Sequence, residues 1–216
     1  MAKLIAKGAE ADLWLDLDWY GLEVVIKVRG EKKYRHPKLD REIRRARTIQ
    51  EASILHRVKG AGVPTPLVYH VDPENAKIVM EYVRGKRVRD IVDSLSEEER
   101  ITLFNTIGRT TGLMHGSNVI HGDLTTSNMI KTDGRVVFID FGLGEVSMEV
   151  EKRGVDLNLL KRMLTSTHYM YTEELFEAFK EGYKDSMGDM ADMVLERMKE
   201  IEQRGRYIER DMAHNR

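Results

Sequence analysis

The spacing of apolar residues changes about a third of the way along the chain, and that change restricts the architectures open to it. Lys3–Lys7, Ala11–Leu17 and Leu22–Val28 read as strands, because LWLDLD alternates apolar with acidic residues and LEVVIKV is rich in β-branched side chains. Trp19-Tyr20-Gly21 reads as the turn between the last two. After Pro37, residues Leu39, Ile43, Ala46, Ile49, Ala52 and Leu55 recur every three or four positions until Gly60 and Gly62. That spacing predicts one amphipathic helix of about five turns. Two further strands, Leu67–Val71 and Lys77–Val83, flank the turn Asp72-Pro73-Glu74-Asn75.

Beyond Gly85 the pattern is chiefly helical. Ser96 followed by Glu97, Glu98 and Glu99 reads as an N-cap and acidic first turn of a helix reaching about His115. Short strands follow at Met129–Lys131 and Val136–Ile139, around an Asp133-Gly134 turn, and helical periodicity returns from Val155 to Arg204 with a break near Gly188. The expectation is an α+β fold of two lobes. Residues 1–83 form a small β-rich N-lobe with one long helix, residues 84–216 a helical C-lobe, and the cleft between them is a place for a ligand.

Composition removes several kinds of chemistry. With no cysteine among 216 residues there is no disulfide framework, no Cys-ligated metal and no thiol nucleophile, which suits a reducing cytoplasm. No run approaches the roughly 18 apolar residues of a membrane span, and the first residues lack the form of a cleaved leader. A soluble, cytoplasmic protein is expected.

The most informative stretch is His121-Gly122-Asp123-Leu124-Thr125-Thr126-Ser127-Asn128, followed by Asp140-Phe141-Gly142 at the end of the apolar run VVFID. Phosphoryl transfer needs a carboxylate to orient or deprotonate the attacking hydroxyl or water, and oxygen ligands to hold Mg²⁺ on the nucleotide phosphates. Asp123 suits the first task; Asn128 and Asp140 suit the second. Gly142 permits a backbone turn behind the carboxylate. Protein kinases use H-R-D and D-F-G in this way. Here Gly122 stands where many kinases have arginine, and no A-P-E signature follows Gly142.

Upstream, Lys27 ends the run VVIK, where a kinase offers an ammonium to the α- and β-phosphates. Its carboxylate partner on the long helix is Glu51, with Glu42 the competing candidate nearer the helix start. Met80, Glu81 and Val83 lie in the link whose backbone would meet adenine. Gly8 and Ala9, in Lys7-Gly8-Ala9-Glu10-Ala11, form a glycine-poor phosphate loop.

Blander explanations exist for each element taken alone. A lone D-F-G is more often turn chemistry than catalysis, and a lone lysine in an apolar strand usually snorkels. Order and spacing are what favour the kinase-like reading. Gly85-Lys86 lacks the preceding glycine and following Ser or Thr of a P-loop. His115 reads as a packed helix-end residue, His121 as a brace for the catalytic loop, and Met187, Met190, Met193 and Met198 as core or a pliable interface.

With these residues in view, GAEA, KYRHPKLDREIRRARTIQEA, HGDLTTSNMI and FIDFGLG closely resemble the small atypical kinase/ATPase subunit of the KEOPS complex, of archaeal type, within the RIO-like branch of the kinase superfamily. The resemblance covers nearly the whole chain. It implies a minimal two-lobed kinase fold, a serine/threonine-kinase type of phosphotransferase that hydrolyses ATP with Mg²⁺ or Mn²⁺, and a place beside the threonylcarbamoyl-transferring subunit and the other KEOPS subunits. That assembly makes the threonylcarbamoyl modification of adenosine in tRNA, so tRNA is met through the complex and no membrane is involved. The match gives Lys27, Glu51, Asp123, Asn128 and Asp140 the roles above, and Asp156 in GVDLNLLKRML that of bracing the catalytic loop. The alternatives are a stand-alone serine/threonine kinase and a kinase-fold scaffold that contacts RNA.

The net charge of −1 conceals a polarised chain. Glu31–Arg47 holds eight Lys/Arg against three acids, whereas Thr172–Gln203 holds ten acids against four bases. A solvated helix face and a phosphate-contacting patch both explain the basic segment. Arg44, Arg45, Arg204 and Arg206 are the candidate RNA contacts, although the segment after Arg206 is mixed in sign.

Overall fold

The computed structural model describes residues 2–214, with side chains described as far as Arg204. Three antiparallel strands open the chain: β1 (Lys3–Lys7), β2 (Asp12–Trp19) and β3 (Leu22–Val28). Tyr20 and Gly21 both have positive φ, 53° and 79°, the backbone hand that matches the twist of a two-residue hairpin. The long helix α1 (Pro37–Gly60) follows, then β4 (Val68–Asp72) and β5 (Lys77–Glu81). The five strands form one sheet in the order β1-β2-β3-β5-β4. Because β5 ends at Glu81, earlier than the expected Val83, Tyr82 and Val83 leave the sheet as a connecting segment.

The second region begins with β6 (Lys86–Arg87), the single turn α2 (Val88–Ile91) and α3 (Glu97–Gly116). Ser96 caps α3 as expected: its hydroxyl accepts the Glu99 N–H at 3.3 Å, and Glu99 accepts the Ser96 N–H at 2.8 Å. Then come β7 (Val119–Ile120), β8 (Met129–Lys131), β9 (Val136–Phe138), β10 (Glu145–Val146), α4 (Val150–Thr167), α5 (Thr172–Met187) and α6 (Met190–His214). The expected helical stretch from Val155 is thus three helices. Its first break, at His168–Tyr171, contains no glycine or proline to announce it. Strands of two residues such as β6, β7 and β10 are too short to show alternation. Among the described residues no helix is long and apolar enough to cross a membrane.

Two corrections concern α1. It has 24 residues, nearly two turns more than expected, because Pro37 sits in its first turn, where a fixed φ and a missing N–H cost nothing. Its inward face is also not the predicted stripe: Leu39 is 52% and Ile49 42% exposed, while Asp40, Thr48, Glu51, Ile54, Leu55 and Val58 are buried. Of the polar residues on that face Glu51 lines the cleft, Asp40 pairs with Arg44 and the Thr48 hydroxyl donates to the Arg44 carbonyl; the apolar half joins the core of the helical region.

That core is apolar and includes Phe104, Ile107, Phe138, Phe141, Leu157, Leu160 and Phe179. Helices α3 and α5 approach to backbone contact. A Cβ at Gly108 would run into the Phe179 carbonyl, and one at Gly182 into the Asn105 carbonyl. Met198 belongs to this core and Met187 packs against it, whereas Met193 is exposed.

Candidate active site

The alternation of β3 points Lys27 inward, and Lys27 is 6% exposed. Its ammonium lies 2.7 Å from Glu51 Oε1 and 2.7 Å from Asp140 Oδ1, so one cation bridges the sheet lobe, α1 and the loop after β9. Glu51 is the partner; Glu42 is exposed on the far side of α1. A residue that pattern reading missed, Arg29, places Nη2 2.7 Å from Glu51 Oε2. The signal for it was its spacing: two residues beyond Lys27, it shares the inward face.

On the opposite side, Asn128 Nδ2 donates to the Asp123 carbonyl at 3.0 Å and to Asp123 Oδ2 at 2.8 Å. This fixes the carboxylate and leaves its other oxygen facing the cleft as an acceptor. Asp140 has φ 60°, a left-handed conformation that costs a non-glycine residue about 1 kcal/mol or more. The Lys27 bridge and the Gly142 N–H at 3.2 Å hold it there. Burial alone would push the Asp140 carboxyl up, but the Lys27 ammonium and the Gly142 N–H outweigh that and hold it below the usual aspartate value.

The catalytic loop hangs on Asp156, in α4. Its two oxygens accept the His121 N–H at 2.6 Å and the Gly122 N–H at 2.9 Å. Behind it, His115 Nε2 lies 3.3 Å from Asp156 Oδ2 and His115 Nδ1 lies 2.9 Å from the Tyr183 hydroxyl, a fully buried chain. His115 is therefore more than a packed helix end. His121 Nδ1 accepts the Asp123 N–H at 3.3 Å, and burial holds the ring neutral by pushing its pKa down. Gly122 has φ 77°, and a Cβ there would collide with the Leu143 carbonyl, which explains why arginine cannot stand at this position.

Between the lobes lie two adjoining chambers. The inner, about 270 Å³, is walled by Ile5, Leu13, Val25, Met80, Ile130 and Ile139, with Glu81 and Val83 at its edge and Lys27 and Asn128 at its end. The outer, about 260 Å³, lies under Gly8 and Ala9 and is lined by Lys27, Arg29, Asp123, Asp140 and Gly142. An apolar slot leading into a polar chamber suits a flat base followed by phosphates. Asn128 Oδ1 and Asp140 Oδ2 accept no hydrogen bond among the described residues, and two hard oxygens beside the polar chamber suit a divalent metal ion.

The basic segment is only partly neutralised: Arg35, Arg44, Arg45 and Arg47 have acidic partners. Arg44 pairs with Asp40 at 2.7 Å and Glu31 at 3.3 Å and is mostly buried, so it is a structural residue and a poor candidate for RNA contact. Arg45 pairs with Glu74 at 2.8 Å but stays exposed, as does Arg204 with Glu151 at 2.9 Å. The Arg206 side chain lies outside the described residues. Lys33, before α1, and Lys38 and Arg41 in its first turns are exposed.

A two-lobed fold with this ion-paired cleft defines the protein-kinase-like class, and the model of the RIO domain matches residues 23–162. The chain is 46% identical to the KEOPS complex subunit Bud32 of Pyrococcus abyssi, over 96% of this chain and 97% of that protein. It is 44% and 43% identical to the probable bifunctional tRNA threonylcarbamoyladenosine biosynthesis proteins of Methanothermobacter thermautotrophicus and Methanocaldococcus jannaschii, covering 95% of this chain but 37% of each relative. The chain belongs to the Bud32 family of KEOPS subunits, within the RIO kinase-like proteins.

Proposed function

We propose that this chain hydrolyses ATP as a subunit of a KEOPS-type assembly that makes threonylcarbamoyladenosine in tRNA. The observation that carries the reading is the Lys27 ammonium held 2.7 Å from both Glu51 and Asp140, opposite the Asn128–Asp123 pair. In this reading the base enters the inner chamber against the backbone of Glu81 and Val83, and the phosphates lie under Gly8 and Ala9. Lys27 turns from Asp140 to the α- and β-phosphates. Asp123 orients the attacking water and takes its proton as the water oxygen bonds to the γ-phosphorus. The bond to the β-bridging oxygen breaks and its electron pair leaves with ADP. Asn128 and Asp140 would hold a divalent ion, which would supply positive charge to the phosphate oxygens.

The segment after Gly142 favours hydrolysis over transfer to a protein hydroxyl. It passes directly into β10, which pairs with β7, and reaches α4 at Val150. No long loop remains to hold a peptide. The test is ATP turnover by wild type, Asp123→Asn and Asp140→Asn, with and without the threonylcarbamoyl-transferring partner. Each variant should lose roughly a hundredfold or more. Full activity in Asp140→Asn would remove its metal role, and robust phosphorylation of partner serines or threonines by isolated wild type would favour the stand-alone kinase.

A further inference from the structure

Among the described residues that line the two chambers, Arg29 is a buried cation that the mechanism above does not use. It is 4% exposed, its Nη2 holds Glu51 Oε2 at 2.7 Å, and it lines the outer chamber close to Gly142. Its Nε is buried without a partner. A buried guanidinium with an unmet donor is costly unless its charge is needed.

We infer that Arg29 is a positioning residue for nucleotide phosphates: it neutralises Glu51 so that Lys27 reaches the phosphates with its positive charge uncancelled. This inference rests on the nucleotide reading of the cleft. Lys27, Arg29, Glu51 and Asp140 form a balanced set of two cations and two anions. When Asp140 turns to the metal ion, Lys27, Arg29 and Glu51 remain, and their sum is one positive charge facing the phosphates. Without Arg29 the remaining Lys27–Glu51 pair is neutral, and Glu51 holds Lys27 back. The arrangement also suits the phosphate loop above it, which has the single glycine Gly8 and contributes few backbone donors. Arg29 further fixes α1 to β3 by a contact that does not depend on Lys27.

The experiment is calorimetric binding of Mg·ATP and of adenosine to the full chain, as wild type, Arg29→Met and Arg29→Lys. Adenosine reports the inner chamber and ATP adds the phosphates. Arg29→Met is expected to lose tenfold or more in ATP affinity and less than twofold in adenosine affinity, and Arg29→Lys should recover most of the loss. The ATP affinity of Arg29→Met should also fall less steeply with salt than that of wild type. Equal losses for both ligands, with no rescue by lysine, would mark a merely structural arginine and overturn the inference, as would wild-type ATP affinity in Arg29→Met. If wild type binds neither ligand, the nucleotide reading itself fails, and the inference with it.

Discussion

The two sides of the molecule that flank the cleft, α1 and the α3–α5 core behind it, are held by opposite means. On α1 the inward face is polar, and Glu51 sits between Lys27 and Arg29 while Asp40 sits with Arg44. Between α3 and α5 the contact is backbone on backbone among aromatic side chains, and one buried polar chain, Tyr183–His115–Asp156, crosses the core to the catalytic loop. Ion pairs can exchange partners when phosphates arrive; apolar packing cannot. In the proposed reading the N-lobe side would rearrange on binding, and the helical side would be the platform that keeps Asp123 in place.

The largest effect should come from the platform. Gly182→Leu must force α3 and α5 apart and should cost about 4 kcal/mol or more, lowering the melting temperature by on the order of 10 °C. If the melt moves by less than a few degrees, the helices can separate cheaply and the contrast is wrong. On the α1 side, Glu51→Gln leaves Arg29 buried without its anion and Lys27 with Asp140 alone, and should cost about 3 kcal/mol by denaturant titration. Tyr183→Phe leaves His115 Nδ1 unpaired, a loss of about 1 kcal/mol. If the chain acts through Asp156, turnover should drop with the ATP KM unchanged, while a shift in KM alone would detach Tyr183 from the catalytic loop.

A gentler signature is in pH. The buried His121 ring has its pKa pushed below 6.5, so the unfolded chain binds the proton first as pH falls. Stability from this group is fully present above 6.5 and declines below it until the folded ring itself titrates. His121→Phe should flatten that slope, and an unchanged slope would move the titrating group elsewhere. The smallest effect belongs to Arg45→Glu, within about 0.5 kcal/mol in stability because the Glu74 pair is exposed. Its effect should appear instead as weaker, less salt-dependent tRNA binding by the assembly, and unchanged binding would leave the basic segment a solvated face.

The contrast also explains what could be read from sequence. The strands β1, β2, β3 and β5, the Ser96 cap and the order Lys27, Glu51, Asp123, Asn128, Asp140 were legible because period-2 alternation, capping chemistry and motif spacing are local. The face of α1 was not. Leu39 and Ile49 repeat as a buried stripe should, yet the helix turns Asp40, Thr48 and Glu51 inward, where Glu51 meets Lys27 and Arg29 across the cleft and Asp40 meets Arg44. Arg29 was hidden for the same reason: an arginine at a strand end reads as surface until Glu51 is known to lie opposite. The hydrogen bonds of Asp156 join residues 35 apart, beyond any local pattern, and its assignment came from the family resemblance alone. The break at His168–Tyr171 has no glycine or proline to mark it.

The most direct test of the account is a crystal structure of the chain with Mg²⁺ and a non-hydrolysable ATP analogue. The account predicts that Lys27 Nζ keeps Glu51 but leaves Asp140 for the α- and β-phosphates, with the metal ion on Asn128 and Asp140 and the Asp156 hydrogen bonds to His121 and Gly122 unmoved. Phosphates bound away from Lys27, or a Lys27–Asp140 contact still at 2.7 Å with nucleotide in the cleft, would contradict it.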